Sequence, residues 1–205
     1  MTKQATAPEI WLARHAKPAA HGICYGQSDV AVSLSAADAA SELRERFAAV
    51  HPAAPSELWT SPWSRCRDVA DELGRIWGVP ARVDPRLAEL AFGAWEGRSF
   101  AELEPDEGFQ FWMRNYETAA PPGGETVAHL MGRVAAWLNE RAAGDSAGRV
   151  LAITHAGVAR SARAIARGVS YSTVVSEPVL HLVPELLANS SRLTPHVDDP
   201  RAPRR

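Results

Sequence analysis

Two histidines in this 205-residue chain sit in one kind of setting: His15 follows the apolar run "IWLAR" and His155 follows "VLAIT". Imidazole changes charge near neutral pH, so it can attack, carry protons or bind anions at such a position. Arg14 stands beside His15, and Arg65 opens the segment after "ELWTSP". A guanidinium presents forked donors that match phosphate oxygens. Arg14, Arg65 and the two imidazoles would together make a compact positive pocket suited to a phosphoryl dianion. Each residue alone also has a plainer reading. A buried strand surfaces on polar residues, a histidine is satisfied structurally, and an arginine in a first helical turn costs only a few tenths of a kcal/mol.

The elements around these residues decide whether they meet. "EIWLAR", "ELWT", "ARVD" and "RVLAIT" read as short strands, the last the clearest. "SLSAADAASELRERFAAV" has the helical period, with Ala40, Leu43, Phe47 and Val50 on one face and Ser35 with Asp38 as a capping pair. Ser61 and Pro62 are expected as N-cap and first residue of a helix carrying Cys66, Val69, Ala70, Leu73, Ile76 and Trp77 and stopped by Gly78. Pro85 to Gly124 reads as an irregular excursion whose aromatics pack beneath it. Gly123-Gly124 precede a helix with Val127, Leu130, Met131, Val134 and Leu138, and "GVARSARAIARG" forms another.

Strands alternating with helices predict an α/β protein, a three-layer α/β/α sandwich on a mostly parallel sheet. In such sheets ligands bind outside the carboxyl ends of the strands. If the first and last of these strands are adjacent and parallel, His15 and His155 enter one crevice.

The bulk properties fit a single domain over 1–190, followed by a mobile, Pro- and Arg-rich tail over 191–205. With 46% hydrophobic residues and a net charge of −2, the chain can bury a core and gives no support for nucleic acid or an acidic membrane as partner. Cys24 and Cys66 are too few for a disulfide scaffold and lack zinc-ligand spacing, so both are expected as reduced thiols. "MTKQATAPEI" has no apolar signal-peptide core, and no apolar run approaches a membrane span, so a cytoplasmic protein is expected.

Five segments in order resemble the histidine phosphatase superfamily, the phosphoglycerate mutase-like fold. "ARHAKP" is similar to its Arg-His-Gly signature and "SPWSRCRDVADEL" to its Ser-Pro-x-x-Arg helix. "LAELAFGAWEG" is similar to its Leu-x-Glu…Gly-x-Trp-Glu-Gly loop, "PPGGET" to its Gly-Gly-Glu turn and "ITHAGVAR" to its second histidine strand end. The chain departs from the pattern at Ala16, where Gly is usual, and at Pro18 and His21, which stand where many members carry a phosphate-binding Thr and Asn. Neither role is carried over, and His21 reads as a loop residue.

The resemblance implies a phosphatase forming a phosphohistidine on His15. Arg14, Arg65 and a protonated His155 would stabilise the equatorial oxygens, and Glu89, in the apolar "AELAF", would give the leaving alcohol its proton and then activate water. Glu96 is expected to brace its loop and Glu125 to be structural. No metal and no cofactor are called for. The substrate implied is a small phosphorylated metabolite, with α-ribazole 5′-phosphate suggested by "CYGQSD" and "LAFGAWEG", and a homodimer is left open. Two alternatives stand beside this reading: a phosphoglycerate mutase-type phosphotransferase, and a non-catalytic protein that binds a phosphorylated ligand on the same fold.

Overall fold

The computed structural model describes residues 8–143 and 148–189. Its centre is one five-stranded sheet in the order β3-β2-β4-β1-β5. The strands are β1 (Glu9–Arg14), β2 (Glu57–Thr60), β3 (Ala81–Val83), β4 (Arg149–Thr154) and β5 (Pro184–Asn189). The first four are parallel, and β5 pairs antiparallel with β1. The central strands β1 and β4 are apolar along their length because both faces are covered.

Alternate residues divide between two cores. Ile10, Leu12, Val150 and Ala152 meet α5 (Val127–Ala142) and α6 (Ala156–Arg167) on one face. Trp11, Ala13, Leu151 and Ile153 meet α1 (Ala36–Val50) and α2 (Ser64–Trp77) on the other. This is the α/β/α sandwich expected, with its strand ends gathered on one rim.

Local chemistry sets most boundaries. Ser35 Oγ accepts the Asp38 N–H at 3.1 Å and opens α1. Gly78 closes α2 and Gly168 closes α6, each in the left-handed conformation with φ of 67° and 66°. Two positions expected on the buried faces are exposed, Val50 at the end of α1 and Ile76 near the end of α2, while Trp77 beside the latter packs on Phe47. The start of α2 also differs. Its N-cap is Trp63 rather than Ser61, whose hydroxyl meets His155 Nε2 at the rim of the sheet, and the Ser64 N–H of the first turn donates to Asp29 Oδ2 at 3.1 Å instead.

The excursion is more ordered than its sequence suggests. Two 3-10 turns (Pro85–Leu87 and Gly93–Trp95) lead to α3 (Phe100–Leu103) and α4 (Glu107–Asn115). Ser99 and Glu102 form a reciprocal capping box, and Asp106 caps α4. Cys24, Trp95, Leu103 and Phe109 make a small third core, with Phe92 and Trp112 against it, as expected of most of these aromatics. Phe100 and Phe111 instead face outward. A short α7 (Tyr171–Val174) precedes β5. The tail over 191–205 lies outside the described residues.

Candidate active site

The parallel pairing of β1 with β4 puts Arg14 opposite Thr154, and the His15 N–H donates to the Thr154 carbonyl at 3.0 Å. The next residues on each strand are therefore neighbours. The rings of His15 and His155 lie edge to face with centroids 5.1 Å apart. Both side chains are buried, at 1% and 0% exposure.

His15 Nδ1 lies 2.7 Å from the carbonyl oxygen of Ala16. A carbonyl only accepts, so Nδ1 carries the proton and Nε2 keeps its lone pair. Burial, together with the cations Arg65 and Arg14, pushes the His15 pKa down to about 3 against the opposing effect of the Ala16 bond. The imidazole is neutral at any physiological pH, which is the state a nucleophile needs.

The guanidinium of Arg65 is itself buried. It donates to the carbonyls of Ser28 at 2.7 Å and Gly26 at 2.5 Å, and the nearest carboxylate oxygen, on Asp29, is 3.7 Å away. Its Nε has no partner among the described residues. Arg14 donates to the Val179 carbonyl at 3.0 Å and likewise leaves Nε unpartnered. A buried and a half-buried cation so sparsely compensated are costly unless an anion joins them.

His155 departs from expectation in its charge. Burial first, then His15, Arg65, Arg133 and Arg14, hold its pKa well below the ordinary value. It is neutral as the site stands, and an incoming dianion is what would favour its protonation. Nε2 meets the Ser61 hydroxyl at 2.7 Å, with Cys66 Sγ at 3.6 Å.

Glu89 reaches the same rim from the loop after β3. Its carboxylate accepts the Leu90 N–H at 2.9 Å and the Gly157 N–H at 3.1 Å, the latter in the first turn of α6. The "AELAF" context is apolar in sequence, yet the oxygens meet backbone amides. Gly157 is needed here: a Cβ on it would lie 2.2 Å from Glu89 Oε1.

All five residues singled out in the sequence thus converge on one end of the sheet. A profile of the histidine phosphatase superfamily (branch 1) matches residues 10–181. The chain belongs to this superfamily.

The adenosylcobalamin/alpha-ribazole phosphatase of Salmonella typhimurium is 27% identical to this chain over 155 residues, 73% of this chain and 74% of that protein. A bifunctional protein of Mycobacterium tuberculosis is 35% identical over 98 residues, which is 47% of this chain. The chain spans about a quarter (27%) of that relative's length. The crystal structure of the alpha-ribazole phosphatase from Shigella flexneri superposes with a TM-score of 0.76 over 86% of this chain and 88% of that one, at 20% identity. That likeness shows the shared fold.

Other members of the histidine phosphatase site act behind these residues. Glu96 accepts backbone N–H bonds from Gly26, Gln27, Ser28 and Phe92. Burial opposes its charge, but the donors outweigh that and hold the carboxyl below its ordinary range. It braces the loop whose carbonyls hold Arg65, as expected. Glu125 accepts the Ala91 N–H and pairs with Arg133 at 2.6 Å. Arg133, which sequence reasoning missed, donates to the carbonyls of Arg86, Ala88 and Glu89 and so fixes the loop carrying Glu89. Ser61 was assigned to a helix cap and serves His155 instead.

His21 is exposed in its loop, and Pro18 is buried in a bridge to Val32. Both cysteines are free and buried, with burial pushing the Cys24 thiol up to about 12 and Cys66 higher still. Inert thiols of this kind act as small apolar side chains. Among the described residues no helix is long and apolar enough to cross a membrane.

Proposed function

We propose that this histidine phosphatase hydrolyses a small phosphomonoester through a phosphohistidine on His15. The observation that carries the reading is a buried, neutral imidazole whose Nδ1 proton is committed to the Ala16 carbonyl, flanked by two guanidinium groups and a second imidazole. Nε2 attacks phosphorus, and the bond to the ester oxygen breaks with its electron pair leaving on that oxygen. Glu89 supplies the proton that makes it an alcohol. Arg14, Arg65 and His155 share the charge of the three equatorial oxygens. In the second half, Glu89 takes a proton from water as its oxygen attacks phosphorus. The P–N bond breaks back onto Nε2, inorganic phosphate leaves, and Glu89 is again protonated.

The acid at Glu89 supports an enzyme over a phosphate binder, since binding alone has no use for a proton donor beside two imidazoles. For the substrate we propose α-ribazole 5′-phosphate, supported by the substrate named for the Salmonella relative and by matching loop segments. Two free, buried cysteines suit a reducing cytoplasm, the compartment we propose.

The test is hydrolysis of an aryl phosphate, with inorganic phosphate measured and the acid-labile phosphoryl group trapped and mapped. Turnover with label on His15 is expected. A folded wild-type protein that neither turns over nor becomes labelled overturns the reading. A metabolite panel containing α-ribazole 5′-phosphate and both phosphoglycerates separates hydrolase from mutase.

A further inference from the structure

A third imidazole reaches the nucleophile from a segment that carries none of the matched motifs. His181 lies between α7 and β5, and its Nδ1 is 2.7 Å from the main-chain oxygen of His15. Its ring centroid is 5.5 Å from that of His15. The acceptor is again a carbonyl, so Nδ1 of His181 must be the donor.

The next residue continues the contact. Leu182 donates its N–H to the Arg14 carbonyl at 2.8 Å. Its φ is 56°, the one positive value on a non-glycine residue among the described residues. That conformation costs a leucine about 1–2 kcal/mol and persists where surroundings over-determine it. Here the Leu182 side chain is 2% exposed in the core beneath β1, and Arg46 holds the His181 carbonyl at 2.9 Å.

Successive carbonyls of the catalytic pair are therefore gripped by successive residues of one strained turn. On the opposite edge, β4 holds the His15 N–H. The peptide carrying the nucleophile is fixed from both sides, and only one fixing group is a side chain.

We propose that His181 is a positioning residue for phosphoryl transfer, holding the His15 main chain so that Nε2 stays in line with phosphorus. The proposal rests on His15 being the nucleophile. It differs from a titrating role because Nδ1 keeps its proton whether or not His181 is charged. Burial, with Arg14 and Lys17, lowers the His181 pKa, while the bond to His15 opposes the shift. The contact itself survives either state.

The experiment compares His181→Ala and His181→Asn with wild type in steady state and in single-turnover labelling of His15 by an aryl phosphate. Alanine should slow labelling and kcat about ten- to a hundredfold, the range for a lost positioning contact, with KM changed less than about twofold. Asparagine, which can offer an amide N–H to the same carbonyl, should recover most of the rate. Both variants should keep the ionisations of the wild-type kcat profile. Should alanine not fold, His181→Leu fills the space without a donor and takes its place. Unchanged labelling in the donorless variant, no recovery by asparagine, or an ionisation lost from the profile would overturn the proposal. An inactive, unlabelled wild type would instead overturn the phosphatase reading itself.

Discussion

The Nδ1–H of His15 points at the carbonyl of its own neighbour, Ala16, across 2.7 Å. One short main-chain contact thereby chooses the tautomer and leaves the lone pair on Nε2.

Replacing His15 with Ala removes the proposed nucleophile. Turnover of an aryl phosphate should fall by at least about a thousandfold and labelling should vanish. Appreciable turnover in the folded variant would mean that water is activated directly, and the covalent route would be lost.

Glu89→Gln keeps the shape but removes the transferable proton, and its single amide oxygen can accept only one of the Leu90 and Gly157 N–H groups that the two carboxylate oxygens accept. With an alkyl phosphate the rate should drop by about 10²–10⁴. With an aryl phosphate, whose oxygen leaves without help, phosphorylation should slow far less. Equal losses on both esters would argue that Glu89 only shapes the pocket.

Gly157→Ala tests the same carboxylate from the other side. Its Cβ would stand 2.2 Å from Glu89 Oε1, with Leu130 at 3.3 Å behind, so the acid must move. The variant should show the leaving-group selectivity of Glu89→Gln while its far-ultraviolet circular dichroism stays native. Wild-type rates on an alkyl phosphate would refute the close approach.

Acid should destabilise the protein earlier than its carboxylates require. His15, His155 and His181 all have pKa values depressed by burial, so the unfolded chain binds more protons below the ordinary imidazole value of 6.5. Their stabilisation is complete above pH 6.5 and is lost as pH falls towards the folded value, about 3 for His15. Asp84 and Glu96, also held low, act in the same direction only below about pH 4.5. The urea midpoint should therefore fall between about pH 6.5 and about pH 5, and His15→Asn should flatten that slope. An identical slope in the variant would contradict the buried neutral imidazole.

What was legible in the sequence was local. Apolar runs in β1 and β4 and the terminal glycines Gly78 and Gly168 announced the sandwich, and the strand-end histidines announced the rim. Ser61 misled because "SP" after a strand is a sound capping signal, overridden here by a partner, His155, far along the chain. The capping box of Ser99 and Glu102 was readable but hidden among aromatics that suggested packing alone. Arg133 left no pattern, since a helix residue that binds three distant carbonyls looks like any surface arginine. His181 was equally silent. The strand it leads into, β5, carries Pro184, an exposed Leu186 and a Glu185 paired with Arg163, which break the alternation that marks a strand.

The spacing of the two strand-end imidazoles has a simple origin. Neighbouring strands run about 4.7–4.9 Å apart, a distance dictated by peptide hydrogen bonds, and the rings of His15 and His155 are separated by nearly that interval, 5.1 Å. The active site thus takes its ruler from the backbone. Core side chains on either face can be exchanged wholesale and the ruler keeps its length, so chemistry can outlast most of the sequence around it. A slip of one residue between β1 and β4 would lose that spacing and would also exchange the side chains packed in the two cores, so the packing that sets the register guards the ruler too.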